Sequence, residues 1–286
     1  MNGGMNITAT WLATQFPELS NIQPLSRGGQ KQVFSASHAS DGEVVLKLMH
    51  PQQDVARTTR ELVAVAQVQA ARVPAILDQG TVQSSVGACF WFREQRIHGE
   101  TVRGVLQRGP FQARQLLQLG LHTLESLVVA EQARIVHRDV KPENIILAPT
   151  DDFWLIDFGL ARHLGLESLT ATANVFGYVT WGYAPPEQCR NIKQEIDARA
   201  DLFALGVTLY ECATGVNPFR NGAANPLEVL KRVENDPLPR LSLQLNASRD
   251  FADLVQAMTQ KRRDHRPPTS KDAHDWMKDI CDQEQM

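Results

Sequence analysis

Between Ile135 and Gly159 the chain reads IVHRDVKPENIILAPTDDFWLIDFG, and short apolar runs there enclose polar side chains capable of chemistry. They are Asp139, Lys141, Asn144 and Asp157, with Arg138 as a supporting charge. Ile145-Ile146-Leu147 and Phe153-Trp154-Leu155-Ile156 are rich in β-branched and aromatic residues and predict two buried strands. The turn-forming Pro149-Thr150-Asp151-Asp152 would join them. Such a hairpin brings Asn144, at the start of one strand, beside Asp157, at the end of the other. Two hard oxygen ligands facing one cavity suit Mg²⁺ carrying a nucleotide, since Mg²⁺ takes one or two carboxylates and leaves its other positions to phosphates and water. Asp139 is then left to act on something other than the metal. Any one of these aspartates alone reads more readily as a solvated turn residue. The combination at fixed offsets carries the weight.

The chain that must position these groups has 286 residues, enough for one large domain or two lobes. With 43% hydrophobic and 21% charged residues, disorder is not expected. A formal net charge of −3 gives no reason to expect nucleic acid as a partner. Cys89, Cys189, Cys212 and Cys281 are widely spaced, a pattern that fits buried thiols in a reducing compartment better than a disulfide framework or a zinc site. No run approaches the roughly 18 to 20 apolar residues needed to cross a bilayer, and the start lacks the pattern of a secretory signal. A soluble, cytoplasmic protein with no membrane partner is expected.

Along the chain, Trp11, Leu12, Phe16 and Leu19 at roughly helical spacing predict a short helix within residues 1–21 that caps the body following it. Residues 25–34 predict two strands joined by a glycine-containing turn, and Asp41-Gly42 a tight hairpin into a third strand at 44–48. An amphipathic pattern from Asp54 to Arg72 predicts a helix, and strands follow around Val82 and from Ala88 to Arg93. Leucines spaced through 111–131 predict a long helix. Residues 157–187 show little periodicity, and so long an irregular segment in a compact domain points to a function. A buried central helix is expected over 197–219, and two short helices over 249–280.

His137-Arg138-Asp139-Val140-Lys141-Pro142-Glu143-Asn144 followed by Asp157-Phe158-Gly159 resembles the catalytic loop and metal-binding triplet of the eukaryotic-type (Hanks-type) serine/threonine protein kinase family. The resemblance extends over about residues 22–275 and suggests a stand-alone bacterial member. It implies an α+β, bilobal fold: a small antiparallel-sheet N-lobe with one helix at about 22–95, a hinge at about 95–98 and a mainly helical C-lobe at about 99–286, after an extension at 1–21. It implies ATP and Mg²⁺ as cofactors and protein Ser/Thr hydroxyls as substrates. Asp139 would accept the substrate proton, Lys141 would steady the γ-phosphate, and Asn144 and Asp157 would hold the metal. Lys47, anchored by Glu61, would orient the α- and β-phosphates. Glu61 is the only glutamate between Glu43 and Glu94.

Nucleotide contacts are implied at Ser26, Gly28, Gly29, Lys31, Val33, Val45, Lys47, Gln95, Ile97 and Ile146. The glycine loop departs from the family pattern, with Ser26 and Lys31 at two glycine positions; Lys31 is expected to add a cationic phosphate contact. Val45 stands where alanine is usual, and Glu94 where a medium-sized apolar residue guards the adenine pocket. Ser168, Thr170, Thr172 and Thr180 fall in the implied activation segment. Arg138 would pair with a phosphate on Ser168, Thr170 or Thr172, and Thr180 would touch Asp139. Autophosphorylation implies transient self-association. Glu187 with Arg266, and Asp201 beneath the catalytic loop, would be structural. Two other readings are a pseudokinase acting as a nucleotide-binding scaffold and a small-molecule kinase of the antibiotic-phosphorylating kind.

Overall fold

The computed structural model describes residues 7–27, 31–49, 70–85, 87–158, 180–192, 195–242 and 248–285. The chain divides into two compact units: Met1–Ala66 with Pro74–Ile97 and Leu160–Leu166, and Gln67–Val73 with His98–Gly159 and Glu167–Met286.

In the first unit, α1 (Ala9–Gln15) precedes β1 (Leu19–Arg27), β2 (Lys31–His38), β3 (Gly42–Met49), β4 (Ile76–Ser84) and β5 (Gly87–Gln95). The strands form an antiparallel sheet in the order β1-β2-β3-β5-β4. Side chains alternate along a strand, so Val44, Leu46 and Leu48 face one way and Val45, Lys47 and Met49 the other. All six are buried, so both faces of β3 are covered. The Val44 face packs in one apolar cluster with Leu12 and Phe16. Phe16 also sets its ring edge-on to Trp91 at 4.9 Å between centroids.

Thr8 starts α1 by accepting the Trp11 N–H at 3.1 Å. The helix stops at Gln15, because Pro17 disfavours helical backbone at Phe16. Leu19 therefore opens β1 instead of continuing the helical stripe expected of it. β4 also begins earlier than expected. Asp78-Gln79-Gly80 reads as an approach segment, yet pairing of Asp78 with Arg93 and Gly80 with Trp91 draws it into the sheet.

The second unit opens with β6 (Glu100–Thr101), α2 (Val102–Leu106) and α3 (Ala113–Gln132). Next come β7 (Ile145–Leu147) and β8 (Phe153–Leu155), the hairpin expected from the sequence, which joins β6 in a sheet ordered β6-β7-β8. Gly99 leads into it at φ 147°, where a Cβ would stand 2.2 Å from the Leu147 carbonyl oxygen. Only glycine fits. After α4 (Pro186–Cys189), the helix α5 (Arg199–Thr214) is apolar on nearly every side and buried from Ala200 to Cys212. It is shorter than the expected 197–219 because Gly215, at φ 81°, ends it in a left-handed cap.

α6 (Pro226–Asn235) is an element beyond those expected, although Asn225 and Pro226 are a cap and a first-turn residue that the sequence displays. The Asn225 side chain accepts the Glu228 N–H at 3.0 Å. α7 (Ser248–Met258) and α8 (Ser270–Gln283) are the two terminal helices expected. α8 lies so close to α3 that a Cβ on Gly120 would come within 2.4 Å of the Met277 methyl. Among the described residues no helix is long and apolar enough to cross a membrane. The four cysteines are buried and none is in a disulfide.

Leu12 is fully buried between α1 and the sheet. Leu12→Ala should lower unfolding stability by about 2–5 kcal/mol in a urea titration, and a loss within experimental error would show that α1 contributes nothing to the first unit.

Candidate active site

Residues 135–141 have no regular secondary structure, and Pro142–Asn144 closes the stretch as a single 3₁₀ turn into β7. A loop of this kind must take its shape from outside itself. Asp201, in the first turn of α5 and 2% exposed, supplies that shape: its two carboxylate oxygens accept the N–H groups of His137 and Arg138, each at 2.7 Å. Arg138 adopts φ 64°, a left-handed conformation that non-glycine residues avoid. Burial pushes the Asp201 carboxyl up to about 7, while the two peptide N–H bonds pull the other way.

His137, fully buried, links the loop to the end of β8. Its Nδ1 accepts the Asp139 N–H at 3.2 Å, which leaves Nε2 to donate to the Ile156 carbonyl at 3.0 Å. Phe158 packs on the imidazole at 4.6 Å between centroids. The Arg138 carbonyl accepts from Gln188 Nε2 at 2.9 Å.

On this frame the Asp139 carboxylate gathers three donors. Lys141 Nζ lies 2.8 Å away, Thr180 Oγ1 donates at 2.6 Å, and Asn144 Nδ2 donates at 2.9 Å and also to the Asp139 carbonyl at 2.8 Å. Lys141 donates to Thr180 Oγ1 as well, at 3.1 Å. The β7–β8 register brings Asn144 opposite Ile156, whose N–H donates to the Asn144 carbonyl at 2.9 Å. Asp157 is the next residue, at φ 62°. The hairpin thus sets Asn144 across from Ile156, the residue before Asp157. Because the Asn144 amide nitrogen is spent on Asp139, its Oδ1 is the atom left for a cation. With the Asp157 carboxylate it would offer oxygen donors, the kind that Mg²⁺ takes. Ile146 follows on β7, opposite Trp154.

A second network supports the segment that carries Thr180. Arg103 donates to Glu143 at 2.8 Å, to Glu211 at 2.7 Å and to the Tyr183 hydroxyl at 2.5 Å. Burial, together with the facing Glu211 carboxylate, raises the Tyr183 phenol above its ordinary range. Below it, Glu187 and Arg266 form a two-pronged pair at 2.6 and 3.0 Å, with the Arg266 side chain fully buried. Arg266 also donates to the carbonyls of Gln260, Arg199 and Lys261, so every guanidinium N–H is engaged. Beside Thr180 an open cavity of about 570 Å³ is lined by Trp181, Arg220, Asn225, Pro226 and Val229 among others.

In the first unit, Ser26 pairs across the sheet with Val33, Val33 with Lys47, and Lys31 with Met49. Val45 lies opposite Glu94. Gln95 ends β5 with its N–H donated to the Ala75 carbonyl at 2.9 Å, so that amide is already taken where an adenine contact was expected. Ile97 follows, half-buried and outside any strand. Gly28, Gly29, Glu61, Ser168, Thr170 and Thr172 lie outside the described residues. Among the described residues, the carboxylate that meets Lys47 is Glu94, at 2.5 Å.

Sequence reasoning missed the roles of His137, Gln188, Arg103 and Glu211, and it assigned Glu94 to an adenine slot without foreseeing its ion pair. Alternation along β5 is the one signal that could have revealed the pair. Gln188, Arg103 and Glu211 carry no local signal, since their partners are 28 to 108 residues distant.

A two-lobed α+β fold whose larger unit sets Asp139, Lys141, Asn144 and Asp157 on one loop and hairpin defines a class. Residues 19–278 match the family described as protein kinase domain. The chain belongs to that family. It is 31% identical over 235 residues to the serine/threonine-protein kinase PknD of Mycobacterium tuberculosis, an alignment covering 80% of this chain and 34% of that protein. It is 32% identical over 217 residues to PknB of Mycobacterium leprae, covering 75% of this chain and 34% of that protein. With PknL of Mycobacterium tuberculosis it shares 32% over 243 residues, covering 82% and 58%. The chain thus spans about a third of the length of the first two relatives and under two thirds of the third.

Arg266→Ala should destabilise the second unit by about 3–5 kcal/mol, because it strands the Glu187 carboxylate without a partner. Chemical denaturation measures this, and a loss below roughly 1 kcal/mol would mean that the pair is dispensable.

Proposed function

We propose that the chain is an ATP-dependent protein serine/threonine kinase that transfers the γ-phosphate to Ser/Thr hydroxyls of protein substrates. The observation that supports this most is the Asp139 carboxylate with Lys141 and Thr180 on it. An alcohol entering there meets a carboxylate able to take its proton as the oxygen attacks phosphorus. Lys141 offers a positive charge to the phosphoryl oxygens as charge shifts onto them. Lys47 orients the nucleotide phosphates, with Glu61 as its expected anchor, and Ser26, Gly28, Gly29, Lys31, Val33 and Val45 are assigned to the nucleotide. Ile97 and Ile146 are assigned to the adenine, and Gln95 through its carbonyl alone, since its N–H is bound to Ala75. Mg²⁺, held by Asn144 and Asp157, would supply charge neutralisation to the phosphates when bound.

The cavity beside Thr180 favours a peptide chain over a small aminoglycoside, because it gives a flanking residue somewhere to sit. The Arg103 and Arg266 networks that brace this segment support the same reading. Autophosphorylation at Ser168, Thr170 or Thr172, with the phosphate on Arg138, would order the activation segment through transient self-association. Four buried thiols outside any disulfide support a reducing compartment, which we take to be the cytoplasm.

Radiolabelled Mg-ATP, offered with the chain itself and a serine-rich protein acceptor, tests the reading. The wild type should label both, and Asp139→Asn should lose about 10²–10⁴-fold. Equal labelling by the two would exclude Asp139 as the base. No labelling by either, with nucleotide still bound, would favour a scaffold. An aminoglycoside as the sole labelled product would favour the small-molecule branch. Phosphopeptide mass spectrometry on the same samples should find phosphate on Ser168, Thr170 or Thr172.

A further inference from the structure

Lys47 is 2% exposed, and an ammonium so deep in the protein needs an opposite charge close by. Glu94, itself 8% exposed, brings its carboxylate to 2.5 Å. Strand register explains why. Lys47 pairs with Phe92 and Val45 with Glu94, so the four side chains share one face and Glu94 is the diagonal neighbour of Lys47. Between them the Phe92 ring lies 5.5 Å from Nζ and walls the stem of the lysine. The strand that carries this carboxylate is bonded on both sides, to β3 and β4, so sheet pairing fixes the backbone from which Glu94 reaches Lys47.

We infer that Glu94 is a positioning residue for phosphoryl transfer: it anchors the Lys47 ammonium from within the sheet, so that the lysine is held for the nucleotide phosphates by strand pairing. The inference rests on the kinase reading above. By alternation, the other charged groups on this face among the described residues are Lys31 on β2 and Glu43 on β3. Lys31 carries the same sign as Lys47, and Glu43 is matched by Arg96 at 3.5 Å. Glu61 is the further carboxylate to be separated from Glu94, by substitution.

The test uses the full chain. Amine acylation of Lys47 is followed by peptide mass spectrometry across pH, and ATP kinetics are run in parallel on wild type, Glu94→Gln, Glu94→Leu, Glu61→Gln and Lys47→Met. Removing the Glu94 carboxylate takes a negative charge from 2.5 Å away from a buried cation, so the proton affinity of Lys47 must fall. Its reactive neutral fraction at pH 8 must then rise, roughly tenfold for every tenfold loss of proton affinity. The charged lysine is the working form, so the alkaline limb of kcat/KM should move to lower pH. KM for ATP should rise about tenfold with a smaller change in kcat, an effect on binding that general loosening would not isolate.

Glu94→Gln with wild-type labelling and wild-type KM overturns the proposal. So does a labelling response in Glu61→Gln alone. Should both Glu94 variants fail to fold, the wild-type profile decides: a Lys47 midpoint near the ordinary value of about 10.4 or above supports the anchor, and one well below it overturns the anchor. Failure of the kinase reading looks different, because the wild type itself would then transfer no phosphate to a protein acceptor, whatever the Glu94 variants do to the labelling of Lys47.

Discussion

One carboxylate bonded to two consecutive peptide N–H groups gives the active loop its shape. Asp201 holds His137 and Arg138 in place at 2.7 Å each, from a helix buried almost all round. Hydrogen bonds to a charged partner contribute about 1.5–3 kcal/mol apiece, while the left-handed backbone of Arg138 costs about 1–2 kcal/mol. The two bonds together exceed that strain, while burial of the carboxyl takes back part of their gain. From that point the placement of Asp139 follows, because its own N–H is bound to His137 and its carboxylate is met by Lys141, Asn144 and Thr180.

The same electrostatic rule recurs wherever a charge is buried. Arg266 uses all its donors, Arg103 joins two carboxylates and a phenol, and Lys47 meets Glu94. Each would be costly alone, since an uncompensated charge in the interior loses its hydration without return. Paired, they fix side chains whose parent elements are far apart in sequence. That is how a loop, a hairpin and the residues around Thr180 come to share one carboxylate without regular secondary structure to align them.

Much of this was legible in the sequence, for physical reasons that differ by element. The β7–β8 hairpin showed in two β-rich runs around a Pro-Thr-Asp-Asp turn, and α5 in its lack of any polar face. The family followed from a motif whose spacing rarely arises by chance, and its implied contacts of Asp201 with the loop and of Glu187 with Arg266 are present in the structure. Boundaries were less legible. Pro17 ended α1 before Leu19, Gly215 ended α5 early, and pairing with β5 pulled Asp78 to Gly80 into β4. The ion pair of Lys47 with Glu94 and the Arg103 network depend on which strands and helices become neighbours. Local composition does not encode that.

Turnover of Asp201→Asn tests the central claim most directly. Asparagine keeps the shape but presents only one acceptor oxygen to two N–H groups, so the loop loses half its anchor. With the variant folded and phosphate transfer to a protein acceptor followed at saturating Mg-ATP, kcat should fall by about a hundredfold, as expected when a reacting group shifts by around an ångström. Wild-type kcat in a folded Asp201→Asn protein would contradict the account, because Asp139 would then keep its place without the carboxylate beneath it.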